Sequence, residues 1–203
     1  MAERPDVRAA FFNAIGLRPR LETPSLYLDT SVILHLLLNS GERDTVKELL
    51  GSLVERGWNT TTSSFTRMEA LERLQESDWV RREVLKRREW RAIRNELNRG
   101  MDLDPLNTRA LNRLAKAFYE ALIPLDEAGV LEITPLNENG WELASELAAG
   151  THVSAADCIH VATALQQGCH LLVTSDQQLR RAAGGRIKTD DPSSTCALLR
   201  RLT

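Results

Sequence analysis

The stretch Ser25-Leu26-Tyr27-Leu28-Asp29-Thr30-Ser31 constrains this chain more than any other. Three large apolar residues run together without alternation, the pattern of a short strand buried on both faces. Val32, Ile33, Leu36 and Leu37 then fall at helical spacing, with Thr30 or Ser31 placed to cap that helix. Asp29 therefore sits where a buried strand ends and a helix begins. In open α/β sheets that carboxyl edge is where ligands bind. A lone aspartate there is more often a helix cap, so its meaning depends on whether the arrangement recurs.

It does recur. Trp58 to Thr62 reads as a second strand, Val130 to Thr134 as another, and Leu171-Leu172-Val173-Thr174 as a buried one that ends in Ser175-Asp176. Gly184-Gly185 turns the chain into a short edge strand around Ile187. Helical patterns separate these strands. One contains Val46, Leu49, Leu50, Leu53 and Val54 and stops at Gly57; Asn139 to Ala149 form another, closed by Gly150. Ser154 caps a helix that Gly168 closes, and Asp191-Pro192 opens the last one. Strands alternating with helices predict a parallel α/β sheet with helices on both faces.

Two regions lie outside that alternation. Residues 1–24 form a lead-in with a short helix around Ala9-Ala10-Phe11-Phe12, broken by Pro19 and Pro24 before the main body of residues 25–203. From Phe65 to Arg99 there is neither Gly nor Pro, so helix is expected, with a break and fresh cap at Ser77-Asp78 and an end at Gly100. Asp104-Pro105 then opens a helix to about Ile123. The block from about 75 to 124 has no strand and reads as a helical insertion or arm.

Four carboxylates stand out on this plan. Asp29 and Asp176 each follow a buried strand, Glu69 lies early in the helix after the second strand, and Asp157 lies in the first turn after Ser154. Strand C-termini of a parallel sheet share one edge, so Asp29, Glu69 and Asp176 converge there. Asp157 joins them only if its helix starts at the same edge. Each acid alone has a structural explanation: Ser154-x-x-Asp157 as a capping box, Asp176 as a cap, Glu69 as a solvated helix residue. Together they would repel one another unless a cation lay among them. Hard oxygen ligands suit Mg²⁺ or Mn²⁺ rather than zinc.

The rest of the composition narrows the classes. A net charge of −2 announces no global positive field. Three cysteines without CxxC spacing fit neither a disulfide framework nor a structural zinc site, and point to a reducing compartment. No secretory signal pattern and no apolar run of about 18 residues occur, so a cytoplasmic protein is expected.

In order along the chain, these residues resemble the motifs of the PIN-domain ribonucleases. Leu26-Tyr27-Leu28-Asp29-Thr30-Ser31 looks like the first, Ser63-x-x-Thr66-x-x-Glu69 the second, Asp157-x-x-x-x-Ala162-Thr163-Ala164 the third and Leu172-Val173-Thr174-Ser175-Asp176 the fourth. The resemblance implies a five-stranded parallel sheet and a Mg²⁺- or Mn²⁺-dependent endoribonuclease of the VapC type, a toxin paired with an antitoxin and commonly a homodimer. It also implies that Asp157 shares the active edge. Asp29, Asp157 and Asp176 would be metal ligands, directly or through water, with Glu69 completing the shell and orienting the attacking water. Thr30, Ser31 and Thr174 would hold carboxylates or a phosphate. The lead-in and the 75–124 block depart from the minimal family pattern.

Between Arg81 and Arg99 lie eight basic and three acidic residues. Arg81, Arg82, Arg87, Arg88 and Arg91, with Trp90 interleaved, are candidates to grip RNA phosphates, or else a solvated face laced with ion pairs. His160, three residues after Asp157, is placed either to face the cleft or, the commoner case, to be a satisfied core or surface histidine, and Cys158 reads as packing. Ser31 stands where a haloacid-dehalogenase-type phosphohydrolase would need a second aspartate. A non-catalytic PIN-like binding module or a housekeeping RNA-processing nuclease are the remaining alternatives.

Overall fold

The computed structural model describes residues 6–20, 22–38, 40–99, 108–150 and 153–202. Strand β1 (Ser25–Leu28) lies at the centre of a five-stranded, all-parallel sheet. The others are β2 (Asn59–Ser63), β3 (Leu131–Thr134), β4 (Leu171–Val173) and β5 (Lys188–Asp190), in the order β3-β2-β1-β4-β5. Among the described residues the helices are α1 (Val7–Ala14), α2 (Thr30–Leu37), α3 (Arg43–Arg56), α4 (Ser64–Leu85) and α5 (Trp90–Asn98), then α6 (Thr108–Glu127), α7 (Glu138–Gly150), α8 (Ala155–Gln166), α9 (Gln177–Ala183) and α10 (Pro192–Arg201). No helix among them is long and apolar enough to cross a membrane.

Strand period explains why β1 and β4 are continuously apolar. Leu26, Leu28, Leu171 and Val173 face one core, with α2, α3, α6 and α10; Tyr27 and Leu172 face the other, with α7, α8 and α9. Tyr27 therefore points at α8. Strand β2 is polar yet buried, and its hydroxyls are bonded: Thr60 Oγ1 donates to the Val130 carbonyl and Thr62 Oγ1 to that of Leu28, each at 2.8 Å.

Helix α1 packs on the body. Phe11 meets the Trp58 ring edge-on at 4.8 Å and Phe12 the His170 ring at 4.8 Å. His170 Nδ1 accepts from the Ser25 N–H at the start of β1, which places α1 towards the sheet edge opposite Asp29.

Two local expectations are corrected. The cap of α2 is Asp29, whose Oδ2 accepts from Ser31 N–H at 3.2 Å. The Thr30 and Ser31 hydroxyls are engaged elsewhere, with Glu69 and with the Ser175 N–H. Helix α4 runs unbroken through Ser77-Asp78, because Asp78 pairs with Arg82 one turn on at 3.3 Å instead of capping. The break comes after Leu85, where Arg87 adopts a left-handed φ of 58° and buried Glu83 accepts from Lys86 Nζ and Arg88 Nη1, each at 2.7 Å.

The 75–124 block is also divided. Phe118, Leu122 and Leu125 of α6 lie in the main core, and that packing carries the helix past Pro124 to Glu127. Residues Asn39, Gly100, Asp104, Pro105 and His152 lie outside the described residues.

Candidate metal centre

Sheet register builds the site. Leu28 pairs with Val173, so Asp29 and Thr174 emerge side by side from adjacent parallel strands. Thr174 Oγ1 donates to Asp29 Oδ2 at 2.8 Å and accepts from Asp176 N–H at 2.9 Å. Ser31 Oγ accepts from Ser175 N–H at 3.0 Å, tying the start of α2 to the end of β4. Beside them β2 ends in Ser63, which caps α4, and Glu69 follows in the second turn.

Glu69 Oε2 accepts two bonds, from Thr30 Oγ1 at 2.5 Å and from His160 Nε2 at 2.8 Å. The same nitrogen lies 3.7 Å from Asp29 Oδ1. His160 is 2% exposed, and its Nδ1 lies 2.6 Å from the Tyr27 hydroxyl, which accepts from Ser63 N–H. Asp29, Glu69 and His160 each offer one ligand atom within 4.8 Å of the others, the tight set among the described residues. Two hard carboxylates and one imidazole suit a divalent cation such as Mn²⁺, and a carboxylate-led set also admits Mg²⁺.

Asp157 and Asp176 fall outside that tight set. Asp157 is half-buried in the first turn of α8, where its Oδ2 accepts from Ser154 Oγ at 2.7 Å. Asp176 is exposed and caps α9, accepting from Gln178 N–H at 2.6 Å. Both remain in the electrostatic neighbourhood. Burial raises the Asp157 carboxyl above its ordinary range; the Asp176 and Asp29 charges add to that, against the Ser154 bond and His160. Burial also opposes the charge on Glu69, but the bonds from His160 and Thr30 outweigh it and hold that carboxyl low. Burial alone would lower His160, yet the Glu69 bond and the Asp29 charge reverse this and raise it.

His160 is the site neighbour that the linear sequence disguises. Its spacing from Asp157 was its only signal, since nothing local shows that Tyr27 and Glu69 come to meet it. Of the basic candidates, Arg82 is paired with Asp78, and Arg88 is locked between Glu83 and Glu96. Arg81, Arg87 and Arg91 are exposed. Trp90 is 59% exposed beside them.

Residues 109–185 match the family model of the PIN domain. No protein of curated function matches the sequence. Solved structures of similar fold include these two. One is FitAcB from Neisseria gonorrhoeae, 22% identical with a TM-score of 0.51, covering 82% of this chain and 97% of that one. The other is VapBC2 from Rickettsia felis bound to a DNA fragment from their promoter, 13% identical with a TM-score of 0.50, covering 82% and 98%.

Proposed function

We propose that this chain, whose residues 109–185 match the PIN-domain model, is a metal-dependent endoribonuclease, the toxin of a toxin–antitoxin pair. The observation that carries the reading is the meeting of Asp29, Glu69 and His160 at the carboxyl edge of the sheet, with the Asp157 and Asp176 charges beside them. In this reading Asp29, Glu69, Asp157 and Asp176 hold Mg²⁺ or Mn²⁺. Such an ion would activate water and neutralise charge on a transferring phosphoryl group.

The chain's own residues do the positioning. Thr174 and the Ser31 N–H both engage Asp29 Oδ2, and among the described residues no such bond ties Oδ1, which lies 3.7 Å from His160 Nε2. Thr30 and His160 both engage Glu69 Oε2. Each carboxylate thus keeps an oxygen outside those bonds. The acidic shell repels phosphates until a cation offsets it, so substrate binding needs help from positive charge nearby. Exposed Arg81, Arg87 and Arg91 on the α4–α5 elements are proposed to supply it, without Arg82 and Arg88. An antitoxin and a second copy of the chain are the proposed protein partners.

The test is cleavage of a mixed RNA pool by partner-free protein with Mg²⁺ or Mn²⁺, set beside Asp29→Asn and Asp157→Asn variants of verified fold. Metal-dependent cutting that falls by about 10²-fold or more in both variants is expected. Cutting that survives in both would remove the acids from catalysis. RNA binding without cutting would instead favour a non-catalytic module.

A further inference from the structure

We propose that His160 is a positioning residue that orients Glu69 for the cation, with Tyr27 setting which imidazole nitrogen carries the proton. The proposal rests on the metal reading of the site given above. His160 projects from α8 one turn beyond Asp157, and its ring is held edge-on by Tyr27 and Phe65, each 5.9 Å away between centroids. Buried histidines ordinarily satisfy a neutral partner. Here the partner of Nε2 is the carboxylate of Glu69, with Asp29 Oδ1 next to it.

The tautomer follows from the hydroxyl beneath the ring. The Tyr27 oxygen accepts the Ser63 N–H at 3.2 Å, and its own proton is available to Nδ1 at 2.6 Å. In the neutral ring Nδ1 is then the acceptor and Nε2–H points at Glu69 Oε2, a donor that the doubly protonated ring keeps. With Thr30 donating to the same oxygen, Glu69 is held by two donors on one side. This is the supporting shell that fixes a ligating carboxylate in orientation.

The arrangement joins three separate parts of the fold. Tyr27 lies mid-strand on the face turned to α8, Ser63 closes β2, and His160 comes from the α8 helix. A ring placed only for packing would need none of these bonds to reach the acids.

The experiment is Mn²⁺ titration by calorimetry of the full-length, metal-stripped protein, with thermal melting of every variant. Wild type is compared with His160→Leu, His160→Gln and Tyr27→Phe. The glutamine amide can present an N–H close to where Nε2–H lies, so it restores the donor without the ring. Loss of about 10–100-fold in Mn²⁺ affinity is expected for His160→Leu, with most of it regained in His160→Gln. Tyr27→Phe should weaken binding by less than His160→Leu, since it frees the tautomer without deleting the donor. Equal binding by folded His160→Leu and wild type would overturn the proposal, as would equal losses in the leucine and glutamine variants. Should the leucine variant fail to fold, unchanged binding by Tyr27→Phe overturns the role given to Tyr27. A ¹⁴N coupling from the imidazole to bound Mn²⁺, seen by pulsed electron paramagnetic resonance, would make His160 a ligand instead. Wild type that binds no Mn²⁺ overturns the underlying metal reading, an outcome distinct from any difference among variants.

Discussion

The Thr174 hydroxyl, at the end of β4, donates to Asp29 Oδ2 at the end of β1 across 2.8 Å and 145 positions of sequence. One side chain thereby couples two strand ends and fixes the orientation of the acid between them. Replacing Thr174 by Val removes the donor at nearly constant volume. It also deprives the Asp176 N–H of its acceptor. We expect a loss of about 1–3 kcal/mol in urea denaturation and of about tenfold in Mn²⁺ affinity. Thr174→Ser, which keeps the hydroxyl, should recover most of both; if it does not, the hydroxyl is not what matters.

The His160–Glu69 pair gives the metal-free protein a defined pH response. His160 is raised above its ordinary 6.5 and Glu69 is held below its ordinary 4.5. A raised histidine contributes stability that is complete below its unfolded value and is lost as pH rises through its folded value. A depressed carboxyl contributes stability present above its unfolded value and lost as pH falls through its folded one. The pair therefore stabilises most between 4.5 and 6.5. Urea midpoints of wild type and His160→Gln should differ most in that window and converge as pH rises through the raised histidine value. A difference independent of pH would contradict the pairing.

Arg88 joins the turn after α4 to α5 by bonding Glu83 and Glu96 together. Removing it in Arg88→Ala leaves Glu83, whose side chain is 8% exposed, with Lys86 alone. Amide hydrogen exchange should quicken across α5 while β1 and β4 keep their protection. Unchanged exchange in α5 would show that packing at buried Ile93 suffices to hold the helix.

The lead-in helix is part of the core. Phe11 and Phe12 are fully buried, and Phe11 packs on Trp58. Phe11→Ala should cost about 3–5 kcal/mol, measured by the urea midpoint. A cost below about 1 kcal/mol would mean that α1 is dispensable to the body.

Arg87 and Arg91, which have no ion-pair partner among the described residues, make a further contrast. If they contact RNA, Arg87→Ala combined with Arg91→Ala should weaken RNA binding and reduce the slope of log affinity against log salt by about 0.7 per lost phosphate contact. Arg82→Ala should leave the slope unchanged, because Arg82 already serves Asp78.

By itself the sequence determined the parallel sheet, the strand ends at Asp29 and Asp176, and the caps at Ser154 and Asp191. These follow from local signals: unbroken apolar runs, glycine stops and side chains that bond their own backbone neighbours. Where two local signals competed, reading the chain alone failed. Ser77-Asp78 looked like a cap, but a helical neighbour, Arg82, claimed the carboxylate. Thr30 looked like a cap until the fold brought Glu69 to its hydroxyl. Only tertiary structure decided that α6 belongs to the core and that His160 stands between Tyr27 and Glu69. The physical reason is range. Caps and periodicity act within a turn or two of the chain, whereas the bonds to His160 join residues 91 and 133 positions apart and exist only once the sheet has set their register.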